Sequence, residues 1–179
     1  EAYSIKEILR DVLIYAKWGA DEKGLRLQVS LDERIPRVLS GDAVRVMQIM
    51  ENLISNGIKY TKEGSIEISI RWEALDSHSG NIRFSVKDTG IGMKPEDVKK
   101  ISESFLRVDN SRTRNIQGIG LGLTIVTRLL HHMKGTFAVE SEIGKGSTFS
   151  FCLPQDVIQI EPVGMISWDQ PKEFSSREE

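Results

Sequence analysis

Asn52, Asn56, Lys59 and Tyr60 stand at i, i+4, i+7 and i+8, a spacing that puts all four on one face if the stretch that carries them is helical. Asparagine is a poor helix former, so two of them one turn apart inside a strong helix call for a reason beyond propensity. Their chemistry supplies one: an amide oxygen ligates Mg²⁺, a lysine ammonium neutralises phosphate and an aromatic ring stacks on a purine. The bland alternative is a solvated polar stripe, and the helix alone does not separate the two.

Three glycine-bearing segments add to this: Asp88-Thr89-Gly90-Ile91-Gly92, Gly118-Ile119-Gly120-Leu121-Gly122-Leu123, and Gly144-Lys145-Gly146-Ser147-Thr148. Glycine lets backbone approach a ligand closely, and free N–H groups at a helix start bind anions. The second segment opens a helical pattern, so its amides can cradle phosphates. It lacks the preceding strand of a dinucleotide-binding fingerprint, because 109–117 is polar, and it lacks the Gly-Lys-Ser/Thr ending of a Walker loop. Any one cluster taken alone is more simply a turn.

The elements that must position these residues follow from periodicity. Ile5, Ile8, Leu9, Val12, Leu13 and Ala16 recur at helical spacing over 4–22, with Ser4 as N-cap and Gly24 as the stop. Leu25, Leu27, Val29 and Leu31 alternate as a strand, and Pro36 and Gly41 bracket the next connection. From 42 to 61, Val46, Met47, Met50, Leu53, Ile54, Gly57 and Ile58 define a long amphipathic helix. Stretches 65–72 and 81–87 alternate around turn residues at 76–80 and read as a hairpin. A third helix is expected over 120–133, then strands over 136–141 and 147–153. Helices and strands mix without regular alternation, which predicts an α+β fold: a two-layer sandwich with a mixed, mostly antiparallel sheet against three helices. Periodicity fades after Pro154. The expected organisation is therefore one domain over 1–154 and a tail or linker over 155–179, with one short strand possible at 157–160.

Composition bounds the function. With 24 Lys+Arg against 26 Asp+Glu the net charge of the 179 residues is −2, which argues against a nucleic-acid-coating protein. With 39% apolar and 28% charged residues the chain is of ordinary globular composition. No apolar run is long enough to cross a bilayer, no secretory signal is visible, and the single Cys152 fits a reducing, cytoplasmic setting. The start at Glu1 suggests a fragment of a longer protein, whose anchor, if it has one, lies elsewhere.

Asn52 to Tyr60, Asp88 to Gly92, Glu103-Ser104-Phe105-Leu106-Arg107, Gly118 to Leu123 and Gly144 to Thr148 resemble, in order, the five boxes of a histidine kinase catalytic domain. The resemblance covers about residues 1–154 and implies the ATP-binding fold shared with type II topoisomerases, heat-shock chaperone ATPases and mismatch-repair ATPases. It also implies roles. Asn56 matches the Mg²⁺ ligand, Asn52 faces the phosphates, Lys59 is a phosphate contact and Tyr60 a wall of the base pocket. Asp88 matches the buried carboxylate that accepts from the adenine amino group, which separates adenine from guanine because the guanine carbonyl would meet a second acceptor. Gly90 and Gly92, with Ile91 and Met93, let the base lie against backbone. Arg107 reaches the γ-phosphate, Phe105 anchors a lid over 108–117, and Arg112 and Arg114 are further phosphate contacts. Gly118, Ile119, Gly120, Leu121, Gly122 and Leu123 form the hinge and phosphate-binding helix start, and Thr148 sits beside the adenine. Three departures from the usual pattern remove no nucleotide contact: Gly57 in place of alanine, small Ser102 and Ser104 flanking Glu103, and a single glycine in Met133-Lys134-Gly135.

Relatives that hydrolyse ATP carry a glutamate base four residues before the metal-binding asparagine; here that position is Asn52, whose amide takes no proton from water. Glu51 lies next door but is turned about 100° away. The expected activity is therefore transfer of the γ-phosphoryl group of MgATP, with Asn52, Lys59 and Arg107 as catalytic residues, to a histidine outside the chain. His78 precedes Ser79, His131 precedes His132 and His132 precedes Met133, so none has the acidic neighbour of an acceptor histidine, and His131 and His132 read as complementing a helix C-terminus. Implied partners are the dimerisation and histidine phosphotransfer domain of the parent kinase and, indirectly, a response regulator or receiver domain. No nucleic-acid partner is expected, and the isolated domain is expected to be monomeric. The alternatives are an ATP-sensing module without transfer and a mechanical ATPase of the same fold.

Overall fold

The computed structural model describes residues 1–106 and 122–168. Their order is β1 (Ala2–Ser4), α1 (Ile5–Lys23), β2 (Arg26–Leu31), β3 (Pro36–Ser40), α2 (Ala43–Lys59), β4 (Ser65–Ala74), β5 (Ser79–Asp88), α3 (Pro95–Leu106), α4 (Leu123–His132), β6 (Thr136–Glu142) and β7 (Gly146–Pro162). The seven strands form one sheet in the order β1-β3-β7-β5-β4-β2, with β6 also paired to β7. Every pair is antiparallel except β2–β4. This is the expected mixed, mostly antiparallel α+β architecture.

Alternation decides which face of the sheet is covered. Ile66, Ile68 and Ile70 of β4, Ile82, Phe84 and Val86 of β5, and Phe149, Phe151 and Leu153 of β7 are buried, while the residues between them are polar apart from Cys152. Against the apolar face lie Ile5, Leu9, Val12 and Leu13 of α1 and Val46, Met50, Leu53 and Ile54 of α2, all fully buried. Truncating one of them, Leu53→Ala for example, removes about 2–5 kcal/mol. The α2 N-cap is Asp42, whose carboxylate accepts the Arg45 N–H at 3.2 Å. Lys23 of α1 donates from Nζ to the Ile58 and Lys59 carbonyls, closing the other end. Gly57, buried, allows α2 to press on the sheet: a Cβ there would stand 3.1 Å from Val86 Cγ1 and 3.9 Å from Asp88 Cβ.

Three expectations are corrected. The connection expected between Pro36 and Gly41 is strand β3, paired with β1 and β7. Among the described residues there are four helices rather than three, the addition being α3. Its signals were Pro95 at the first turn with Glu96 and Asp97, and the buried Ile101 and Phe105 one helical period apart. The strand expected over 147–153 runs on to Pro162, so position 154 falls inside β7 rather than at the end of the regular structure. Pro154 follows the last β6 pair, Thr136–Cys152, and precedes the first β3 pair, Ser40–Asp156, so on that side its missing N–H breaks no ladder. Val163 and Ile166 beyond the strand are buried in the core.

Candidate functional site

A cavity of about 360 Å³ opens between α2, the loop after β5, the start of α3 and the β6–β7 turn. Asn56, Tyr60, Asp88, Ile91, Gly92 and Met93 line it, as the sequence leads one to expect, together with residues not anticipated there: Lys94, Asp97, Ile143, Ser147 and Phe149. Its size suits one small organic ligand.

Asp88 ends β5 at only 4% exposure. Its Oδ1 accepts the N–H of Gly90 at 2.9 Å and of Ser147 at 3.2 Å. Burial pushes the carboxyl above the ordinary carboxylate range, and these two N–H groups oppose the push without cancelling it; the Thr61 hydroxyl beside it also favours the ionised form, though its geometry falls short of a hydrogen bond. A buried acid held by amides on one oxygen is arranged to receive a donor from a ligand. Gly90 permits the arrangement: a Cβ would collide with the Tyr60 carbonyl and stand 2.8 Å from Asp88 Oδ1.

The loop from Gly90 to Met93 is stitched on both sides. Ile91 N–H donates to the Tyr60 carbonyl at 3.2 Å, Gly144 N–H to the Ile91 carbonyl at 2.8 Å, and Met93 N–H to Ser141 Oγ at 2.8 Å. Ser141 in turn donates to the Gly146 carbonyl at 3.1 Å. The loop is thereby tied both to the end of α2 and to the β6–β7 turn.

On α2 the two asparagines carry polar atoms that nothing among the described residues satisfies. Asn52 Oδ1 and Asn56 Nδ2 are buried without a hydrogen-bond partner. A buried amide without a partner is costly unless a ligand completes it. Asn52 faces Gly122, the left-handed N-cap of α4 with φ 62°, at whose position a Cβ would lie 4.0 Å from Asn52 Nδ2. The Asn52 amide, which does not line the cavity, therefore lies beside the N-terminus of α4, where the backbone favours negative charge, while Asn56 lines the cavity itself. These orphaned groups fit a hard cation with phosphate: a side-chain amide turns over about its last bond, so either asparagine can present its oxygen.

Over residues 41–157, more than half its length, the chain matches the family of histidine kinase-, DNA gyrase B- and HSP90-like ATPases. The chain belongs to that family. It is 41% identical over 152 residues to hybrid signal transduction histidine kinase B of Dictyostelium discoideum, covering 85% of this chain and 8% of that protein. To the sensor protein GacS of Pseudomonas syringae pv. syringae it is 39% identical over 147 residues, covering 82% of this chain and 16% of the relative. Among solved structures, full-length ShkA in complex with AMPPNP superposes with a TM-score of 0.68 at 32% identity, over 89% of this chain and 32% of ShkA. The nucleotide-free catalytic domain of histidine kinase ThkA, at 23% identity and TM-score 0.61 over 86% of this chain and 94% of that domain, shows the same fold. The chain thus spans a small part of the curated histidine kinases that it resembles.

Within this ATPase-family domain, several expected site residues stand elsewhere. Thr148 does not line the cavity: strand alternation turns it to the opposite face of β7, and Ser147 and Phe149 take the inward positions. Lys59 does not line the cavity: it lies on a separate groove with Trp18 and Tyr15, its ammonium 5.3 Å from the centre of the Tyr60 ring. Phe105 is outside the cavity, 7% exposed, stacked on His131 at 4.4 Å and tilted against Phe137 at 6.0 Å. His131 donates from Nε2 to the Phe105 carbonyl, so it joins α4 to the end of α3. Leu123 is fully buried, which leaves only its backbone to face a ligand. Arg107, Arg112, Arg114, Gly118, Ile119, Gly120 and Leu121 lie outside the described residues. Among the described residues no helix is long and apolar enough to cross a membrane.

Proposed function

We propose that this domain binds MgATP with the adenine on Asp88 and the phosphates between Asn52, Asn56 and the N-terminus of α4, and transfers the γ-phosphoryl group to a histidine of a separate dimerisation domain. The observation that carries the reading is the pairing of a buried carboxylate at the cavity floor with two unsatisfied amides on the neighbouring helix. Asp88 accepts from an exocyclic amine, Tyr60 and Phe149 bound the base, and the Gly90–Met93 backbone supplies a flat wall. Asn52 and Asn56 would hold the metal, which when bound neutralises phosphate charge.

Transfer is favoured over hydrolysis by Asn52 itself, since an amide cannot activate water. Glu51, the residue before Asn52, is turned about 100° round α2 from the face that Asn52 and Asn56 share. In the reaction a nitrogen of the acceptor histidine forms the new bond to the γ-phosphorus, the bond from that phosphorus to the β–γ bridging oxygen breaks, and ADP leaves with the electron pair. The domain's part is positioning and charge neutralisation. Arg107, with Arg112 and Arg114, belongs to this proposal as the phosphate contact, and Lys59, at the end of α2, as a source of positive charge. The setting is the cytoplasm, and the parent is a sensor kinase that passes the phosphoryl group to a response regulator or receiver domain. In support, the similar proteins bear histidine kinase names and ShkA was solved with AMPPNP.

The test is to incubate the chain with a separately made histidine-containing dimerisation domain and γ-labelled ATP. Acid-labile, base-stable label on that domain is expected; binding of ATP with no labelled histidine would instead identify an ATP-sensing module, and steady phosphate release lost in Asn56→Ala would identify an ATPase.

A further inference from the structure

Two charged side chains on the cavity wall take no part in the reading above: Lys94, just before α3, and Asp97, in its first turn. Among the described residues neither is in an ion pair with the other or with a third group. Asp97 is held firmly in place. Its own N–H and that of Val98 both reach the Lys94 carbonyl, at 3.0 and 3.2 Å, and the same helix is anchored by the fully buried Ile101 and by Phe105.

The depth of the two cavity carboxylates differs. Asp88 is almost completely buried, whereas Asp97 is half-exposed, so one marks the floor and the other the mouth. A purine seated on Asp88 turns its sugar toward the mouth, and the triphosphate is drawn across to Asn52 and the start of α4. The part of the ligand that passes Asp97 is then the sugar. A carboxylate repels phosphate but accepts hydrogen bonds from both hydroxyls of a vicinal diol, the chemistry by which an acidic side chain reads the ribose of a dinucleotide. We propose that Asp97 is a specificity residue that hydrogen-bonds the ribose hydroxyls, so that the site selects ribonucleoside over 2′-deoxyribonucleoside triphosphates. The inference rests on the ATP-site reading above and deepens it.

Calorimetric titration of the wild-type chain, Asp97→Ala and Asp97→Asn with ATP and with 2′-deoxy-ATP, in Mg²⁺, tests it. The wild type is expected to bind ATP about tenfold more tightly than the deoxy form, as one lost charge-assisted hydrogen bond implies. Asp97→Ala is expected to weaken ATP, which loses the acceptor for both hydroxyls, about tenfold more than the deoxy form, which loses only that for its 3′-hydroxyl, so that the two nucleotides bind the variant equally. Asp97→Asn, which keeps an acceptor oxygen, is expected to retain part of the preference. Equal wild-type affinity for both nucleotides, or an equal loss for both in Asp97→Ala, would overturn the ribose assignment and leave the adenine site standing. Failure of the wild type to bind either nucleotide would overturn the ATP-site reading itself and this inference with it.

Discussion

Ser147 donates its backbone N–H to Oδ1 of Asp88 at 3.2 Å, so the acid at the end of β5 is held by the second residue of β7. Strand pairing sets that contact, since Asp88 and Ser147 are register partners in the antiparallel β5–β7 ladder. The carboxylate is thus a product of sheet geometry as much as of residue type, and its burial raises its pKa from the ordinary range. A raised value means that folding favours the protonated acid. The stability this confers is complete below the ordinary carboxylate range and is lost as pH rises through the raised value.

Asp88→Asn removes that dependence while keeping an oxygen for Gly90 and Ser147. In urea unfolding of the nucleotide-free chain, the variant is expected to gain on the wild type as pH goes from about 4 to about 8. A difference that does not change with pH would show that burial does not penalise the charged form.

His131 couples α4 to the end of α3 by a hydrogen bond to the Phe105 carbonyl and by ring stacking. His131→Leu is expected to cost about 1–2 kcal/mol, and His131→Phe, which keeps the stacking, clearly less. Thermal melts of the two variants decide this; equal losses would mean that the stacked ring contributes nothing.

Much of this was legible before the structure. Helix α2 announced itself through Val46, Met50, Leu53 and Ile54, and its asparagines stood out because nothing in helix propensity asks for them. Asp88 and the glycines beside it were legible by resemblance. Thr148 faces away from the cavity because one residue of strand parity exchanges the two faces of a sheet, and parity is set by the partner strand, here the pairing of Ser147 with Asp88. Helix α3 is hard to read from sequence because Ser102 and Ser104 interrupt its apolar stripe, although Val98, Ile101 and Phe105 keep the period. Strand β7 outran its expected end because proline stops a strand only where its N–H was needed. Lys94, Asp97 and Ser141 gave no local signal: their place depends on how far α3 and β6 fold back toward β5.

Ser141 holds the Gly90–Met93 loop of the cavity wall through the Met93 N–H. Ser141→Ala leaves that N–H without a partner, and a stability loss of about 1 kcal/mol with a severalfold loss of ATP affinity is expected. The measurement is calorimetry alongside denaturant unfolding; unaltered nucleotide affinity would show that the loop keeps its shape without the serine.

Asn56 should matter to the metal-bound phosphates and not to the base. With EDTA in place of Mg²⁺ the wild type is expected to bind ATP at least tenfold more weakly, and Asn56→Ala to show little further dependence on Mg²⁺ while binding adenosine as the wild type does. An Asn56→Ala chain with undiminished Mg²⁺ dependence would remove this amide from the metal site.

The most direct measurement is titration of the wild type and Asp88→Asn with ATP and GTP by calorimetry. If Asp88 seats the adenine amino group, the wild type binds ATP well over tenfold more tightly than GTP, and the variant loses about 10- to 100-fold in ATP affinity together with most of that preference. Equal ATP affinity in the two chains would contradict the account.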